Sequence, residues 1–367
     1  MTGPRAFAVV TGGGTAGHVL PALAIIDGLV AAGHSLDTLH YAGAQRGVET
    51  RLVPTHGVPH TFFDVVGLQR RLTVSNFAFP IRLWRAVRAA GHLLDQRRPR
   101  VVVSVGGYAS LPVVLAARRR RLPIVVVSYD RRPGRSSEFT ARFAAVSAVA
   151  FADSPLPRAR HTGAPVRREV LAVDRDTQRA AARRALGIPT DRFLVTVVGG
   201  SQGSGALNAA VADLVERWGN DPMMAVRHVV GTRFLTGAMP ARHDGDGMLY
   251  QVIGFDEQMP QVYAASDLVV ARGGASTVIE LAVTGTPSIL VPWPQAADDH
   301  QRANVAWLVE AGGASTLDDT ELERLGDLID GLRSDPERLA SLGRAARSAG
   351  EVHRSDAIVR VIEEVAQ

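Results

Sequence analysis

Short runs of β-branched and other apolar residues recur along the chain, and each is followed by glycine and then by a longer helical pattern. Strands that alternate with helices in this way form parallel sheets, because each crossover helix covers one face of the sheet. The chain therefore predicts an α/β protein built of doubly wound parallel sheets. The predicted strands are Ala6–Val10, Val101–Val105, Ile124–Val127, Leu194–Val198, Leu268–Val270 and Ser288–Val291.

The length of the chain, 367 residues, is too great for one compact core, so we expect two domains. Both halves open alike, with a strand that runs into glycines 12–14 in the first and glycines 199–200 in the second. The proline-rich residues 154–166 have the composition of a linker. We expect domains at 1–165 and 166–345, two Rossmann-like sheets whose strand ends face a central cleft. A C-terminal helix over 346–367 is expected to pack back on the first domain or on the second.

The composition excludes several classes of protein. The chain has no cysteine, which excludes disulfides and thiolate metal sites and fits a reducing cytoplasm. Its N-terminus is too short an apolar run for a signal peptide, and its most apolar stretch, 101–117, is too interrupted to span a membrane. The net charge is +5, carried by arginine without lysine, which suits anionic ligands. Aromatic residues make up only 5%, and no nucleic-acid-binding motif occurs, so no nucleic-acid partner is expected.

Glycine-rich loops follow four of the predicted strands. Such loops let backbone N–H groups point at an anion, with the dipole of the following helix behind them. The first loop is neither a Walker A sequence nor a dinucleotide fingerprint, because His40-Tyr41-Ala42 stands where an acidic residue would follow the second strand. One such loop is as readily a plain turn, but four predict sites for more than one phosphate-bearing ligand. The loops are Thr11–His18, Gly106–Pro112, Gly199–Gly205 and Arg272–Thr277.

These loops and their spacing resemble the MurG family of transferases over nearly the whole chain. The matching motifs include Gly13–His18, Gly106–Tyr108, Gly163–Arg167, Gly199–Gly203, Arg272–Thr277 with Glu280, and Asp299–Gln301 with Asn304. The resemblance implies a GT-B fold and an inverting transfer of N-acetylglucosamine from UDP-N-acetylglucosamine. The acceptor of the family is an undecaprenyl-diphosphate-linked muramyl pentapeptide of peptidoglycan synthesis. The C-terminal domain of the family holds the UDP-sugar, and its N-terminal domain holds the acceptor.

The resemblance assigns donor-binding roles mainly to the second half of the chain. Glu280 lies one helical turn beyond Ser276-Thr277, where a carboxylate can accept two hydrogen bonds from a ribose diol. A surface glutamate favoured by the helix dipole is an equally open interpretation. The implied donor-binding residues are Arg167, Ser201, Gln202, Gly203, Phe255, Gly274, Ser276, Thr277, Glu280, His300 and Gln301.

The acceptor side is assigned to the first half of the chain. His18 is the candidate general base, because an ordinary histidine pKa near ~6.5 allows it to take a proton from a hydroxyl at neutral pH. A lone histidine is more often structural, and it is the glycine loop that singles out His18. The acceptor and its diphosphate are assigned to Gly13, Gly14, Thr15, Ala16, Gly17, Gly107 and Tyr108.

No metal or cofactor is expected beyond the UDP-sugar substrate, since helix N-termini and backbone donors can neutralise the departing diphosphate. Some glycosyltransferases hold a divalent ion with an Asp-x-Asp motif. Two segments fit that pattern formally, Asp174-Arg175-Asp176 and Asp244-Gly245-Asp246, and we interpret both as solvated loops.

Residues 72–84 interleave apolar side chains with nearby arginines, partly at helical spacing. An apolar and cationic surface suits an anionic leaflet, and the family uses this region for membrane contact. We therefore expect a cytoplasmic protein that associates peripherally with the inner face of the cell membrane. An amphipathic helix packed on its own sheet is the alternative.

The chain departs from the family at one motif. The family carries His-Glu-Gln-Asn after the strand that ends here at Val127, whereas this chain has Val127-Ser128-Tyr129-Asp130 before Arg131-Arg132-Pro133-Gly134. That segment borders the acceptor, so a MurG-like paralogue that glycosylates another acceptor is the main alternative. An epimerase on the same scaffold and a non-catalytic nucleotide-sugar-binding subunit are two further alternatives.

Overall fold

The computed structural model describes residues 5–65, 79–200, 203–235 and 247–367. The chain divides into two compact units, of which the first is Met1–Arg168 with Val352–Gln367 and the second is Glu169–Glu351. The boundary expected after residue 165 lies close to the point where the chain leaves the first unit. None of the described helices is long and apolar enough to cross a membrane.

The first unit contains a seven-stranded, wholly parallel sheet of order β3-β2-β1-β4-β5-β6-β7. The central strands are buried on both faces, which explains why their sequences are continuous apolar runs rather than alternating ones. The strands are β1 (Ala8–Thr11), β2 (Leu39–Ala44), β3 (His60–Phe63), β4 (Val101–Ser104), β5 (Ile124–Ser128), β6 (Val146–Val149) and β7 (Ala159–His161).

Helices cover this sheet and bury their apolar stripes against it. Leu94 and Val113 join Val102 and Val126 of the sheet in one fully buried cluster. The helices that follow these strands are α1 (Ala16–Ala31), α2 (Glu49–His56), α3 (Phe79–Arg97), α4 (Leu111–Arg119) and α5 (Arg135–Ala141).

The second unit contains a six-stranded parallel sheet of order β10-β9-β8-β11-β12-β13. Its strands are β8 (Phe193–Val198), β9 (Met224–Val229), β10 (Leu249–Ile253), β11 (Leu268–Arg272), β12 (Ser288–Val291) and β13 (Ser315–Thr316). The helices are α6 (Arg168–Leu171), which begins where the first unit ends, then α7 (Arg175–Leu186), α8 (Gly205–Trp218), α9 (Met259–Ala265), α10 (Ala275–Thr284), α11 (His300–Glu310), α12 (Leu325–Arg333) and α13 (Pro336–Gly350). Two Rossmann-like parallel sheets in an α/β chain confirm the predicted fold class.

The strand orders place the four glycine loops at equivalent positions. In each sheet the chain runs outward in one direction and then returns to continue in the other, which creates a switch point between two central strands. That point lies between β1 and β4 in the first unit and between β8 and β11 in the second. Each of these four strands is followed by one of the predicted glycine loops, so the loops line the crevices where doubly wound sheets bind ligands.

The C-terminal prediction of a single helix over 346–367 is wrong. Helix α13 ends at Gly350, a 3₁₀ turn follows at Glu351–Arg354, and a separate helix, α14 (Ala357–Val365), closes the chain. The break has a physical cause, because α13 packs on α10 in the second unit while α14 belongs to the first unit. There α14 packs on α1, and His34 Nε2 lies 2.9 Å from Glu363 Oε1.

Candidate functional site

The two glycine loops of the first unit interlock. Gly14 has φ +96°, and a Cβ there would lie 2.5 Å from Tyr108 Cε1. Gly107 has φ +77°, and a Cβ there would lie 2.4 Å from the carbonyl oxygen of Gly13. Only glycine fits either position, because both the backbone conformation and the space exclude a side chain. The structure therefore brings Gly13, Gly14, Gly107 and Tyr108 together, as the acceptor assignment requires.

His18 lies in the first turn of α1, which begins at Ala16 after Thr15. Its Nδ1 lies 3.1 Å from Thr15 Oγ1, and a Cβ on Gly107 would lie 3.4 Å from its Cγ. His18 thus stands beside both loops, with Nδ1 turned toward Thr15. The opposite ring atom, Nε2, is the one that a general base in this orientation would use.

Tyr129, which occupies the segment that departs from the family motif, braces the start of α1. Its hydroxyl donates to the carbonyl oxygen of Gly17 at 2.5 Å, and its ring centroid lies 6.3 Å from that of His18. Burial raises the pKa of Tyr129 well above its ordinary value, so the hydroxyl stays protonated and remains a donor. In the sequence this segment shows only the loss of polar residues, because the contact with Gly17 depends on tertiary packing.

Glu49 is a further residue of this site that sequence reasoning missed. It is the first residue of α2 and fully buried, and its Oε1 accepts the N–H of Gly14 at 2.9 Å. An acid in the first turn of a helix is ordinarily a solvated partner of the helix dipole. Nothing in the sequence near position 49 indicates that the side chain reaches the loop after β1.

An apolar cavity of about 240 Å³ borders Tyr108. Its wall is almost entirely apolar, although Arg82, Arg135, Ser136 and Tyr108 are among the residues around it. The apolar members are Val65, Phe79, Leu83, Leu111, Pro112 and Phe139.

Helix α3 exposes apolar side chains near its start. Ile81 is 59% exposed and Trp84 is 55% exposed, whereas Val87 and Leu94 of the same helix pack on the sheet. Arg88 lies over the Trp84 ring, with 5.7 Å between its Cζ and the ring centroid. The helix therefore both covers its own sheet and leaves an apolar, cationic surface at one end. The rest of the interleaved segment, 72–78, lies outside the described residues.

In the second unit, the loop after β8 leads to Ser204, whose hydroxyl caps α8 by accepting the N–H of Leu207. A Cβ on Gly203 would lie 2.2 Å from the carbonyl oxygen of Val230, so the loop needs glycine there. The predicted donor contacts Ser201 and Gln202 lie outside the described residues.

Arg272 joins the two glycine loops of the second unit. Its Nη2 donates to Ser204 Oγ at 2.6 Å, and its Nη1 lies 2.5 Å from Asp319 Oδ1. The side chain is 8% exposed, so the pair is sheltered from solvent. The motif that contains Arg272 is visible in the sequence, whereas its contacts with Ser204 and Asp319 are not.

The loop after β11 leads directly into α10. Gly274 is the N-cap and offers no side chain, so the first N–H groups of α10 have no side-chain cap, and nothing lies within 4 Å of a Cβ placed there. Ser276 and Thr277 are half-buried in this first turn. Glu280, one turn further on, accepts a hydrogen bond from the Tyr263 hydroxyl at 2.8 Å, which orients its carboxylate. The arrangement suits a diphosphate on the helix N-terminus and a polar ligand group at Glu280.

Gln301 and His300 begin α11. Gln301 Oε1 accepts the N–H of Gly273 at 3.1 Å and that of Trp293 at 2.9 Å, so its carbonyl end holds two loops together. Any hydrogen bond to a sugar would use its amide end. His300 Nδ1 lies 2.6 Å from the carbonyl oxygen of Ala297, which turns its Nε2 away from that turn.

Two further donor-side residues belong to neither of these loops in the sequence. Phe255 follows β10 and is 45% exposed, so its ring is available to a planar ligand. Arg167 lies in the first unit, unlike the other donor-side residues. Both assignments remain predictions.

The interpretation of Asp174-Arg175-Asp176 as a solvated loop is wrong. Asp174 caps α7 by accepting the N–H of Asp176 at 3.0 Å, and Arg175 turns inward to donate to the carbonyl oxygen of Ser266. Asp244-Gly245-Asp246 lies outside the described residues. Within the described residues, no cluster of three or more histidine, aspartate or glutamate side chains could hold a metal ion.

Comparisons with known proteins agree with this arrangement. Residues 8–149 match the model of the glycosyltransferase family 28 N-terminal domain, and residues 194–360 match that of the C-terminal domain. A UDP-N-acetylglucosamine--N-acetylmuramyl-(pentapeptide) pyrophosphoryl-undecaprenol N-acetylglucosamine transferase of Desulforudis audaxviator is 37% identical, covering 98% of each chain.

Solved structures show the same fold. The crystal structure of Acinetobacter baumannii MurG is 26% identical and superposes with a TM-score of 0.71, covering 99% of each chain. A UDP-GlcNAc 2-epimerase of Neisseria meningitidis is 13% identical with a TM-score of 0.66, covering 97% of this chain and 99% of that one, and shares only the fold. The family is shown by the two family models and by the 37% identical relative. This chain belongs to glycosyltransferase family 28 and, within it, to the MurG family.

Proposed function

We propose that the protein transfers N-acetylglucosamine from UDP-N-acetylglucosamine to a lipid-diphosphate-linked muramyl pentapeptide in peptidoglycan synthesis. The relative from Desulforudis audaxviator, named for this reaction, matches over 98% of this chain. The observation that carries the proposal is the position of His18, which is beside both interlocked glycine loops and has Nδ1 turned toward Thr15. A non-catalytic sugar-binding subunit has no need of a histidine held in this way.

The second unit supplies the donor contacts in this proposal. The uncapped N-terminus of α10 receives the diphosphate, and Glu280, oriented by Tyr263, accepts hydrogen bonds from the ribose diol. As UDP departs, negative charge grows on its diphosphate, and the N–H groups and dipole of α10 stabilise it. The proposed mechanism therefore needs no metal ion and no cofactor.

The first unit supplies the base. The attacking hydroxyl gives its proton to Nε2 of His18 while its oxygen forms a bond to the anomeric carbon. The bond between that carbon and the diphosphate oxygen breaks, its electron pair leaves with UDP, and the configuration inverts. Thr15 at Nδ1 orients the ring for this proton transfer.

The cavity beside Tyr108 supports a lipid-linked acceptor. Its apolar wall accommodates the start of an isoprenoid chain, and two of the residues around it, Arg82 and Arg135, carry charges that suit a diphosphate. A soluble acceptor without a lipid has no use for this combination of surfaces.

We also propose that the enzyme is cytoplasmic and meets the inner face of the cell membrane through α3. Ile81 and Trp84 would enter the interface between headgroups and acyl chains, and the neighbouring Arg82, Arg85 and Arg88 would contact anionic headgroups. Vesicle sedimentation tests this surface. We expect a variant with Ile81→Ser and Trp84→Ser to bind anionic vesicles about tenfold less than the native chain. Equal binding of both would contradict membrane contact through α3.

A paralogue with another acceptor is the second candidate, favoured by the segment Ser128–Asp130, where Tyr129 braces α1 in place of the family motif. The test incubates the purified chain with radiolabelled UDP-N-acetylglucosamine and a short-chain lipid-linked muramyl pentapeptide, with and without EDTA. Formation of the lipid-linked disaccharide in both reactions is the expected result. Donor binding without disaccharide would favour the paralogue, and loss of product with EDTA would overturn the metal-free mechanism.

A further inference from the structure

A buried carboxylate lies directly behind the first glycine loop. Glu49 is fully buried, and its Oε1 accepts two backbone N–H groups, that of Gly14 at 2.9 Å and that of Ala44 at 3.3 Å. Gly14 follows β1 and Ala44 ends β2, so a single oxygen ties together the ends of two neighbouring strands. The side chain therefore acts on the loop rather than on its own helix.

The surrounding glycines are shaped around this carboxylate. A Cβ on Gly13 would lie 2.5 Å from Glu49 Oε1, and one on Gly47 would lie 2.4 Å from Oε2. Neither contact could be relieved by moving a flexible chain end, because the carboxylate is enclosed in the fold. The loop after β1 and the loop after β2 thus leave space for one carboxylate and no more.

Helix capping alone does not account for Glu49. The N-cap of α2 is Val48, which has no side-chain cap, and both hydrogen bonds of Glu49 go to residues outside α2. Its second oxygen, Oε2, is buried and accepts no hydrogen bond from the described residues. Burying a carboxylate with one oxygen that accepts no hydrogen bond lowers the stability of the fold. Stabilisation of the fold alone therefore does not explain a glutamate at this position.

What Glu49 fixes is the backbone that carries the candidate base. Gly14 immediately precedes Thr15, and Thr15 contacts His18 both through its hydroxyl, 3.1 Å from Nδ1, and through its carbonyl oxygen, which accepts the His18 N–H at 3.0 Å. On its other side Gly14 contacts the Tyr108 ring. Moving the Gly14 amide would therefore move Thr15, His18 and Tyr108 together.

We propose that Glu49 is a positioning residue for glycosyl transfer, which holds the Gly14 amide so that Thr15 and His18 keep the geometry for deprotonating the acceptor hydroxyl. This inference rests on the function proposed above. Misplacing a reacting group by about 1 Å can reduce a rate about a hundredfold, so a residue that touches no substrate can still control kcat.

The test compares Glu49→Ala and Glu49→Gln in the full chain. Glutamine retains a carbonyl oxygen for the Gly14 N–H, so we expect kcat within about tenfold of the native value, whereas alanine loses about a hundredfold. The Kd of UDP-N-acetylglucosamine, measured by calorimetry, stays unchanged in both. Glu363→Gln is the matched control, since it neutralises another carboxylate of the same unit, the partner of His34, and is expected to leave kcat unchanged.

Two results would overturn the inference: native acceptor kinetics in Glu49→Ala, or an equal loss of donor affinity and kcat in both variants, which would indicate general misfolding. Rescue of kcat by glutamine but not by alanine supports positioning through the hydrogen bond.

A spectroscopic measurement keeps the inference testable even if the native chain proves inactive with the proposed acceptor. Burial, and then the charge of Glu49, raise the pKa of Tyr108. The absorbance titration of the native chain minus that of Tyr108→Phe gives the pKa of Tyr108 in the native background. The same difference between Glu49→Gln and the double variant Glu49→Gln with Tyr108→Phe gives it without the charge of Glu49. We expect the pKa of Tyr108 to be lower in the second case. An unchanged Tyr108 pKa would show that the carboxylate does not act on this loop, whatever the acceptor is.

Discussion

The two switch points are built on the same strand order but are braced by opposite charges. In the first unit a buried carboxylate, Glu49, accepts the amide hydrogen of the glycine loop. In the second a buried guanidinium, Arg272, donates to Ser204 at the end of the equivalent loop and pairs with Asp319. The backbone topology is thus shared, and the buried side chain distinguishes the two sites.

This difference has an electrostatic consequence. A carboxylate behind a glycine loop uses an N–H group that could bind phosphate and adds negative charge, which weakens the loop as an anion site. In the second unit Arg272 donates to a hydroxyl and cannot take up a loop N–H group, and Asp319 balances its charge, so no buried carboxylate on the loop opposes the helix dipoles there. The second unit is therefore the better diphosphate site, and the first is better suited to holding a neutral hydroxyl next to a base.

The largest expected effect comes from removing the candidate base of the first unit. We expect His18→Ala to lower kcat about a thousandfold, within the range for loss of a general base, because the variant lacks the imidazole proposed to take the acceptor proton. Donor affinity should not change, since His18 is not among the residues assigned to the donor. Steady-state kinetics and calorimetry measure the two quantities. His92→Ala, at an exposed position on α3, is the control, and a native kcat in His18→Ala would remove the distinction between the sites.

The brace of the second unit gives the next effect. Arg272→Met strips Ser204 of a donor and leaves Asp319 without its buried partner, so we expect a loss of about 3–5 kcal/mol in free energy of unfolding, together with weaker UDP binding. Urea unfolding and calorimetry measure these quantities. Arg302→Met removes an exposed partner of Asp318 in the same unit and should cost at most about 1 kcal/mol. Equal effects of the two substitutions would refute the brace.

Much of the fold could be predicted because the central strands of parallel sheets are continuous apolar runs. The prediction Ser288–Val291 coincides with β12, and Leu194–Val198 differs from β8 by one residue. Strand β9 was missed because Arg227 and His228 interrupt its apolar pattern. Both are buried in the fold and satisfied by distant side chains, Arg227 by Asp256 and His228 by Asn208 and Tyr250. Such compensation is a tertiary property that local sequence does not contain.

The residues of the candidate site likewise fall into those that the sequence predicts and those that only the structure shows. Glycine loops are visible in the sequence because close backbone approach requires glycine, and the structure places Gly14 next to Tyr108, two residues assigned to the acceptor. The braces were not visible. Glu49 lies 35 residues from Gly14, and Arg272 lies 68 from Ser204, so only the strand order brings each pair into contact. Charge alone does not identify such residues, since most charged side chains are exposed.

Acid sensitivity should also differ between the units. Burial above all lowers the pKa of three histidines from 6.5 to about 4, namely His40 and His353 in the first unit and His228 in the second. Neighbouring Arg97 and His60 add to the effect at His40, and His161 adds to it at His353. In the unfolded chain these histidines are protonated below about pH 6.5, whereas in the folded chain they stay neutral down to about pH 4. Their contribution to the free energy of unfolding is therefore fully present above pH 6.5 and is lost as the pH falls toward 4.

Between about pH 8 and about pH 5 each of these histidines should cost about 2 kcal/mol of unfolding free energy. Replacing His40 and His353 by glutamine, which does not titrate, should therefore reduce the acid loss about twice as much as replacing His228 alone. Urea unfolding at the two pH values measures this. If His228→Gln reduced the acid loss of stability more than the double replacement of His40 and His353, the predicted order of the units would be reversed.

The smallest effect concerns the ribose contact proposed for the second unit. Glu280→Gln keeps one acceptor oxygen but loses the charge, so we expect the Kd of UDP to rise about tenfold. The native chain should bind UDP more tightly than 2′-deoxy-UDP, and Glu280→Gln should discriminate less between the two, because its single acceptor oxygen cannot serve both hydroxyls of the diol. Tyr263→Phe, which removes the hydroxyl that orients Glu280, should weaken the discrimination only in part. Glu216→Gln on the exposed side of α8 is the control. Undiminished discrimination in Glu280→Gln would assign the ribose contact to another residue and leave the α10 N-terminus and Arg272 to account for donor binding.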